Sequence, residues 1–202
     1  MVKMKIKIHG QKRCGTNLVE FLLREAGHTV FVNEFGWKHG PVDSEIRSHV
    51  DKVVICMRNP AAWLVGNRKH DAGVTWPEER WTTLEEWAFR EDAYLDWAHN
   101  CWEDDYVLLD TMTLITNPER AFELLQDEVG FPGLRETPNK KMAMNGFPMP
   151  KVDFDRSYYT HQKYLDELQP GDWGEIQKQL DAYWPTLGAR WQGWFDQVRR
   201  DV

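Results

Sequence analysis

The sequence predicts an α/β domain with a central parallel sheet, because strand patterns and helix patterns alternate along the chain. Residues 52–57 read KVVICM, and an apolar run rich in β-branched side chains is typical of a strand buried on both faces. Residues 1–9 alternate apolar side chains with lysines, which is the period of a strand, and a glycine-containing loop and a helix follow them. Alternating strands and helices favour a parallel sheet with right-handed crossovers, and we expect three layers.

Capping and turn residues set the expected bounds of the other elements. Gly27 closes a helix over residues 17–26, and an Asn-Pro pair opens another over residues 59–70. A Thr-x-x-Glu capping box within residues 82–86 begins a third helix, with Thr82 or Thr83 as the cap. The apolar stripe of this third helix comprises Leu84, Ala88, Leu95 and Ala98. The remaining expectations are strands over 29–32 and 106–109, a helix over 117–130, loops over 71–80 and 132–154, and a helical C-terminal part broken at 170–171 and 185–188.

Composition and charge exclude several classes of protein. The 202 residues are 42% hydrophobic and 13% aromatic, which suits one domain over residues 1–202. The net charge of −7 and the absence of a long basic run argue against a nucleic-acid partner. The widely spaced Cys14, Cys56 and Cys101 indicate reduced thiols rather than a disulfide framework or a zinc site. Neither a signal peptide nor an apolar run of ~18 residues is found, so we expect a cytoplasmic protein with no membrane partner.

The loop after the first strand carries the pattern of a phosphate-binding site. Gly10 and Gly15 have the G-x-x-x-x-G spacing of a P-loop, in which backbone N–H groups and a helix N-terminus hold phosphate. A nucleotide kinase would carry Lys and then Ser or Thr directly after the second glycine, but Thr16 and Asn17 stand there. The cations lie inside the loop instead, in the Lys-Arg pair at 12–13. The pattern therefore predicts an anion cradle that works without a metal, or else an ordinary β–α turn rich in glycine and basic residues.

Sulfuryl transfer suits a cradle of this kind, and the loop resembles that of the sulfotransferases that use 3′-phosphoadenosine 5′-phosphosulfate (PAPS). The moving SO3 group carries less charge than a phosphoryl group, and a cation near the bridging oxygen stabilises the leaving nucleotide. The family's first loop reads approximately G-x-x-[KR]-[ST]-G-T-[TS]-[LW], and this chain reads GQKRCGTNL. The resemblance implies that Arg13, with Lys12, is the catalytic cation. It also implies that the phosphosulfate is held by Gly10, Gln11, Lys12, Arg13, Cys14, Gly15, Thr16 and Asn17.

Two of these positions depart from the family pattern, and a second motif departs at one more. Cys14 and Asn17 stand where the family has hydroxyl residues. The second motif is a strand followed by R-[ND]-P, with a serine eight residues after the arginine; here Arg58 opens the motif and Gly66 replaces the serine. An arginine fork matches phosphate. The resemblance implies that Arg58 binds the 3′-phosphate of the donor. Because of Gly66, either Asn67 or its neighbour at 68 replaces the serine contact, or the 3′-phosphate is held less well.

Two residues are candidates for the general base. Lys-His-Gly-Pro at 38–41 is similar to the K-x-H-x-P region of cytosolic sulfotransferases, whose histidine is the base, and His39 falls there without the one-residue spacer. Other branches of the family use a glutamate, and Glu34 lies just past the second predicted strand. Either group would deprotonate the acceptor as it attacks sulfur in line. The choice between them stays open from the sequence.

The resemblance covers about residues 5–130, with a weaker likeness at 155–159. It includes VLLDTMTLITNPERAFELL, in which Thr111 and Met112 stand for the family's Tyr-Glu. It implies a single sulfotransferase-like domain that transfers a sulfuryl group from PAPS to a hydroxyl or amine acceptor without a metal. Two other functions stay open: a P-loop kinase of a small metabolite, and a non-catalytic nucleotide-binding protein of the same fold.

Three further features have both a structural and a functional interpretation. Lys140 and Lys141 are a solvated pair or cover the phosphates of the donor. Cys14 is a structural thiol or, beside Arg13 and a helix N-terminus, a reactive one. Tryptophans on or beside predicted helices are expected in the core, although one could stack on adenine or line an acceptor pocket. These are Trp63, Trp76, Trp81, Trp87, Trp97 and Trp102.

Overall fold

The computed structural model describes residues 3–42, 44–71, 83–101, 105–116, 118–130, 143–144, 147–148 and 161–200. Within them strands and helices alternate, and the predicted α/β class with a parallel sheet is confirmed. The elements are β1 (Lys5–Gly10), α1 (Thr16–Glu25), β2 (Thr29–Phe31), β3 (Lys52–Met57), α2 (Pro60–Asp71), α3 (Leu84–Cys101), β4 (Tyr106–Asp110), α4 (Thr111–Thr116), α5 (Pro118–Val129), β5 (Ala143–Met144), β6 (Phe147–Pro148), α6 (His161–Asp166), α7 (Asp172–Ala182) and α8 (Leu187–Arg200), with a short 3-10 helix at Ser44–Ser48.

Four parallel strands form the central sheet in the order β2-β1-β3-β4. Gly10, at the C-terminal end of β1, pairs with Cys56 of β3, and Cys56 pairs with Leu109 of β4. The carboxyl ends of these strands therefore meet at one edge of the sheet, where ligands bind in open parallel sheets. The loops that follow β1 and β3 both leave from this edge.

Most predicted bounds agree with the structure to within two residues. The strand β3 has the predicted bounds, and α1 begins and ends one residue earlier than predicted, with Gly27 at φ 90° beyond its end. The cap of α3 is Thr83, whose Oγ1 accepts a hydrogen bond from the Glu86 N–H at 3.2 Å. The predicted apolar stripe of α3 is buried at all four of its positions, Leu84, Ala88, Leu95 and Ala98.

Three regions differ from the prediction. A short helix, α4, directly follows β4, because Asp110 Oδ1 accepts a hydrogen bond from the Met112 N–H at 2.9 Å and turns the chain. Within the predicted irregular stretch 132–154, the four described residues pair as the antiparallel strands β5 and β6. The helix α8 begins at Leu187, inside the predicted break. The rest of the stretch 132–154, and the predicted loop beyond Asp71, lie outside the described residues.

The lysines that alternate in β1 do not all mark a solvent-exposed face. Lys7 is fully buried, and its Nζ donates to three carbonyls of the turn after β2, those of Val32, Glu34 and Gly36, at 3.1, 2.8 and 2.5 Å. Burial lowers the pKa of Lys7 to about 8. One ammonium group therefore ties this turn to the central strand, just before the chain reaches residues 37–40.

The C-terminal helices cover the elements that flank the first loop. The helix α7 packs against α3 and α8, and α6 packs against α2. Arg68 of α2 donates to both carboxylate oxygens of Asp172 in α7, at 2.6 and 2.7 Å. Between α2 and α3, the rings of Trp63 and Trp87 are buried with their centroids 5.9 Å apart, as predicted for core residues.

Gly10 is a position at which the fold leaves no room for a side chain. Its φ is 151°, and a Cβ there would lie 2.4 Å from the carbonyl oxygen of Cys56. We therefore expect Gly10→Ala to lower the free energy of unfolding by about 2–4 kcal/mol, measured by urea denaturation. Gly193→Ala is the matched control: its Cβ would meet nothing within 4 Å, and alanine favours a helix interior by about 0.5–1 kcal/mol. Equal stabilities of the two variants would contradict the close approach of β1 to β3.

Candidate functional site

The loop between β1 and α1, residues 11–15, has a strained backbone at its centre. Arg13 has φ 71°, and Gly15, which precedes α1, has φ 72°. The left-handed conformation costs an L-residue such as arginine roughly 1–2 kcal/mol, so the surroundings of the loop must hold it. Gly15 is the N-cap of α1 and has no side chain that could cap the helix; its carbonyl accepts from the N–H groups of Leu18 and Val19 at 3.0 and 3.2 Å.

Two tryptophan residues hold the loop from outside. Trp63 Nε1 of α2 donates to the carbonyl of Lys12 at 3.0 Å, and the carbonyl of Trp87 in α3 accepts a hydrogen bond from Gln11 Nε2 at 2.5 Å. The Gln11 side chain is buried by this contact. Both tryptophans, for which the core was the default expectation, therefore also position the loop, and Gln11 anchors it to α3.

The start of α1 packs closely against the ends of the neighbouring strands. Thr16 is buried, and a Cβ at Gly15 would lie 3.0 Å from Cγ2 of Thr111. Thr111 in turn donates from Oγ1 to the carbonyl of Met57 at 3.0 Å. Thr111, which stands where the resembled family has tyrosine, is therefore a packing partner of the loop.

Residues 37–40 lie beside the end of β1 and bring a candidate base to the loop. The Gly10 N–H donates to the carbonyl of Lys38 at 3.0 Å, and Nδ1 of His39 lies 2.6 Å from the carbonyl oxygen of Gly10. Because a carbonyl can only accept, Nδ1 is the donor in this contact, and in a neutral imidazole the lone pair would then be on Nε2. The contact fixes the orientation of the His39 ring beside the loop.

Side chains of α3 fix the same segment from its other side. Arg90 Nη1 donates to the carbonyl of His39 at 3.4 Å, and the Tyr94 hydroxyl donates to the carbonyl of Gly40 at 3.0 Å. Sequence reasoning did not identify either residue. Together with the bonds to Gly10, these contacts leave the backbone around His39 little freedom.

Lys38 is a buried link between this segment and α1. Its Nζ donates to Asn17 Oδ1 at 2.5 Å and lies 3.8 Å from Glu20 Oε2. Burial lowers the pKa of Lys38. The amide oxygen of Asn17, which was predicted to face the donor, is therefore engaged within the protein.

Glu34, the other candidate base, is bound to its own turn. Its Oε2 accepts hydrogen bonds from the N–H groups of Val32 and Asn33 at 3.2 and 3.3 Å. The N–H of Glu34 itself makes the largest contribution to lowering the pKa of this carboxyl, and the N–H groups of Val32 and Asn33 lower it further. A carboxylate with a lowered pKa is a weaker base, so the geometry favours His39.

A buried carboxyl group lies beneath the loop. Glu91 of α3 is fully buried, and Cys14 Sγ lies 3.6 Å from its Oε1. Burial raises the pKa of Glu91 to about 8, and the nearby Arg190 opposes this shift. Burial, followed by the charge of Glu91, also raises the pKa of Cys14 far above its ordinary value, which contradicts the alternative of a reactive thiol. In the sequence, Glu91 falls on the predicted apolar stripe of α3, between Ala88 and Leu95, and this position could have indicated that its carboxyl group is buried.

Arg58, the predicted ligand of the 3′-phosphate, is only 9% exposed and faces the loop. Its Nη1 donates to the carbonyl of Arg13 at 3.0 Å, and its guanidinium carbon lies 4.8 Å from the ring centroid of Tyr164. A Cβ at Gly66 would lie 3.0 Å from the same Nη1. The arginine therefore fills the space beside residue 66.

Two residues were considered for the place of the family's serine. The guanidinium group of Arg68 is engaged in a bidentate ion pair with Asp172 of α7. Asn67, directly after Gly66 in α2, is buried. Of the two, Asn67 is the one that the structure leaves as a candidate.

Near the loop, a cation, an aromatic ring and the candidate base lie side by side. Lys12 Nζ is 5.3 Å from the ring centroid of Trp37. That ring is 37% exposed and meets the His39 imidazole edge-on, with centroids 5.0 Å apart. This arrangement can hold an anionic group at the loop and a second substrate beside His39.

Several predicted features fall outside the described residues. They are Lys140, Lys141, Trp76, Trp81, Trp102 and the segment 155–159. Among the residues that the structure does describe, no cluster of His, Cys, Asp and Glu is arranged to hold a metal ion, and no helix has the length and apolarity to cross a membrane.

Comparisons of the chain with protein-family models, with curated proteins and with solved structures gave no match. Membership of the sulfotransferase family therefore stays a prediction.

Glu91 should make the stability of the protein depend on pH. Its pKa is raised in the folded state, so its contribution to stability is complete below its unfolded value of about 4.5 and is lost as the pH rises through about 8. We expect Glu91→Gln, which keeps an acceptor for Cys14, to remove this loss and to gain on the order of 4 kcal/mol over the wild type at pH 9 relative to pH 5. Urea denaturation at both pH values measures this difference. Glu123→Gln, at an exposed position of α5, is the control. If both variants showed the same dependence of stability on pH, the raised pKa of Glu91 would be contradicted.

Proposed function

We propose that the chain is a sulfotransferase that moves a sulfuryl group from PAPS to a hydroxyl or amine acceptor without a metal. The observation that carries the proposal is the bond between His39 Nδ1 and the Gly10 carbonyl, because it holds a base beside the loop that contains Arg13. In this proposal the β1–α1 connection is a P-loop-like cradle for the phosphosulfate, within a single three-layer domain over residues 1–202. The parallel sheet, with the loop at the carboxyl end of a central strand, supports it.

The proposed reaction is a single in-line displacement at sulfur. The acceptor oxygen or nitrogen forms a bond to sulfur while its proton passes to Nε2 of His39. The bond between sulfur and the bridging oxygen breaks, and its electron pair leaves with 3′-phosphoadenosine 5′-phosphate. Arg13, with Lys12, stabilises the charge that develops on the bridging oxygen.

The phosphosulfate would lie against the N-terminus of α1. The N–H groups of a first helical turn are suited to binding an anion. Because Gly10 and Gly15 have no side chains, the backbone at these residues can approach the anion closely. The resemblance assigns the 3′-phosphate to Arg58 and Asn67. Nη1 of Arg58 is also bonded to the loop, and its buried Nε has no hydrogen-bond partner within the described residues.

A second candidate function is nucleotide binding without catalysis. It is favoured by the side chains of Cys14 and Asn17, which replace hydroxyl residues of the family and are engaged with Glu91 and Lys38. Such a protein would bind the product nucleotide and transfer nothing. A small-metabolite kinase would instead require magnesium and ATP, and the loop carries Thr16 and Asn17 where that chemistry uses Lys and Ser or Thr.

Removal of the loop cation should abolish most of the transfer. We expect Arg13→Ala to lower kcat by about 10²–10³, because a fixed charge at the leaving oxygen is lost. The assay follows ³⁵S from labelled PAPS to 2-naphthol, N-acetylglucosamine and 2-phenylethylamine in the presence of EDTA. Arg47→Ala, which removes an arginine whose side chain is 66% exposed, is the control. Transfer by Arg13→Ala at the wild-type rate would remove the central assignment.

The two candidate bases can be separated by two conservative variants. Asparagine at residue 39 can still donate to the Gly10 carbonyl but has no lone-pair nitrogen, so we expect His39→Asn to lower kcat by about 10²–10⁴ while the affinity for nucleotide is kept. Glu34→Gln should change kcat by less than about threefold, because that carboxylate caps its own turn. Initial rates and calorimetric titration measure the two quantities. A larger loss in Glu34→Gln than in His39→Asn would reverse the assignment.

A further inference from the structure

The backbone of Arg13 is held in an unfavourable conformation at the centre of the candidate site. Within the described residues, only Arg13 and Phe35 are non-glycine residues with positive φ. Conformations of this kind persist when surrounding contacts determine them, and they collect at functional sites. The contact that reaches the carbonyl of Arg13 comes from Arg58 Nη1, at 3.0 Å.

Arg58 is itself positioned by its surroundings. The ring of Tyr164 in α6 lies 4.8 Å from the guanidinium carbon, a cation–π distance, and the side chain is nearly buried. A long side chain that is packed in this way loses little further entropy when it bonds the loop. Nη1 of this arginine, at the end of β3, is thus a positioned donor to the Arg13 carbonyl.

The glycine at residue 66 has a physical reason in this arrangement. A Cβ there would lie 3.0 Å from Nη1 of Arg58, a distance tighter than most Cβ contacts, and a serine hydroxyl would add another atom on the same side. The serine of the resembled motif would therefore compete for the space that the guanidinium group occupies. A side chain at residue 66 would therefore press on the same Nη1 atom that bonds the loop.

We propose that Arg58 is a positioning residue that holds the loop cation Arg13 in its left-handed conformation. The bond from Nη1 to the Arg13 carbonyl carries this role, and the absence of a side chain at Gly66 leaves room for it. The role concerns the protein without ligand, so it can be tested independently of the proposed function.

Hydrogen exchange of the ligand-free protein, read by mass spectrometry, tests the positioning of Arg13. Loss of the bond in Arg58→Met, or its displacement in Gly66→Ser, should raise exchange of the amides of residues 12–15 about tenfold. Arg58→Lys, which keeps a donor, should restore part of the protection. Gly193→Ser is the matched control, because a side chain there meets nothing within 4 Å. If Arg58→Met does not fold, Gly66→Ser decides, and unchanged exchange in a folded Gly66→Ser overturns the proposal.

Discussion

The pairing of Gly10 with residues 37–40 is the interaction on which the site depends. The last residue of β1 uses its N–H for Lys38 and its carbonyl for His39, so one residue joins the start of the loop to the candidate base. This is possible only without a side chain, because a Cβ would lie 2.4 Å from the Cys56 carbonyl oxygen. Any rearrangement of the sheet at this point would therefore move the loop and His39 together.

Buried charged groups extend this constraint in two directions. Lys7 holds the turn after β2 through three carbonyls, and that turn leads into residues 37–40. Glu91 lies under the loop against Cys14. Burying polar groups is costly unless they are bonded, so side chains of this kind specify one arrangement of the backbone around them. These two supports of the candidate site, Lys7 and Glu91, lie in the core.

The sequence was sufficient for the order of the main elements, since strand and helix periods, Gly27 and the Asn-Pro pair at 59–60 are local signals. It also located the loop between β1 and α1, because its glycines are contiguous with the strand and helix patterns, while the role of His39 stays a prediction. It did not reveal the burial of Lys7, whose alternation with apolar residues is the same in a half-exposed strand. Nor did it reveal that Arg58 and Trp63 bond the loop, because those contacts join residues about fifty positions apart and depend on how β3 and α2 pack.

The residues at which the chain differs from the resembled motifs make contacts inside the protein. Cys14 is buried against Glu91, Asn17 bonds Lys38, and Gly66 lies beside Arg58. The proposed transfer would depend on the backbone of the loop, on Lys12 and Arg13, and on His39.

Calorimetric titration of the wild-type protein with 3′-phosphoadenosine 5′-phosphate in EDTA, compared with ATP in magnesium, tests the central claim most directly. The account predicts binding of the nucleotide in EDTA that Arg13→Ala weakens, and weaker binding of magnesium-ATP. Absence of binding in EDTA, or a preference for magnesium-ATP, would leave the fold unchanged and would contradict the proposed sulfuryl transfer.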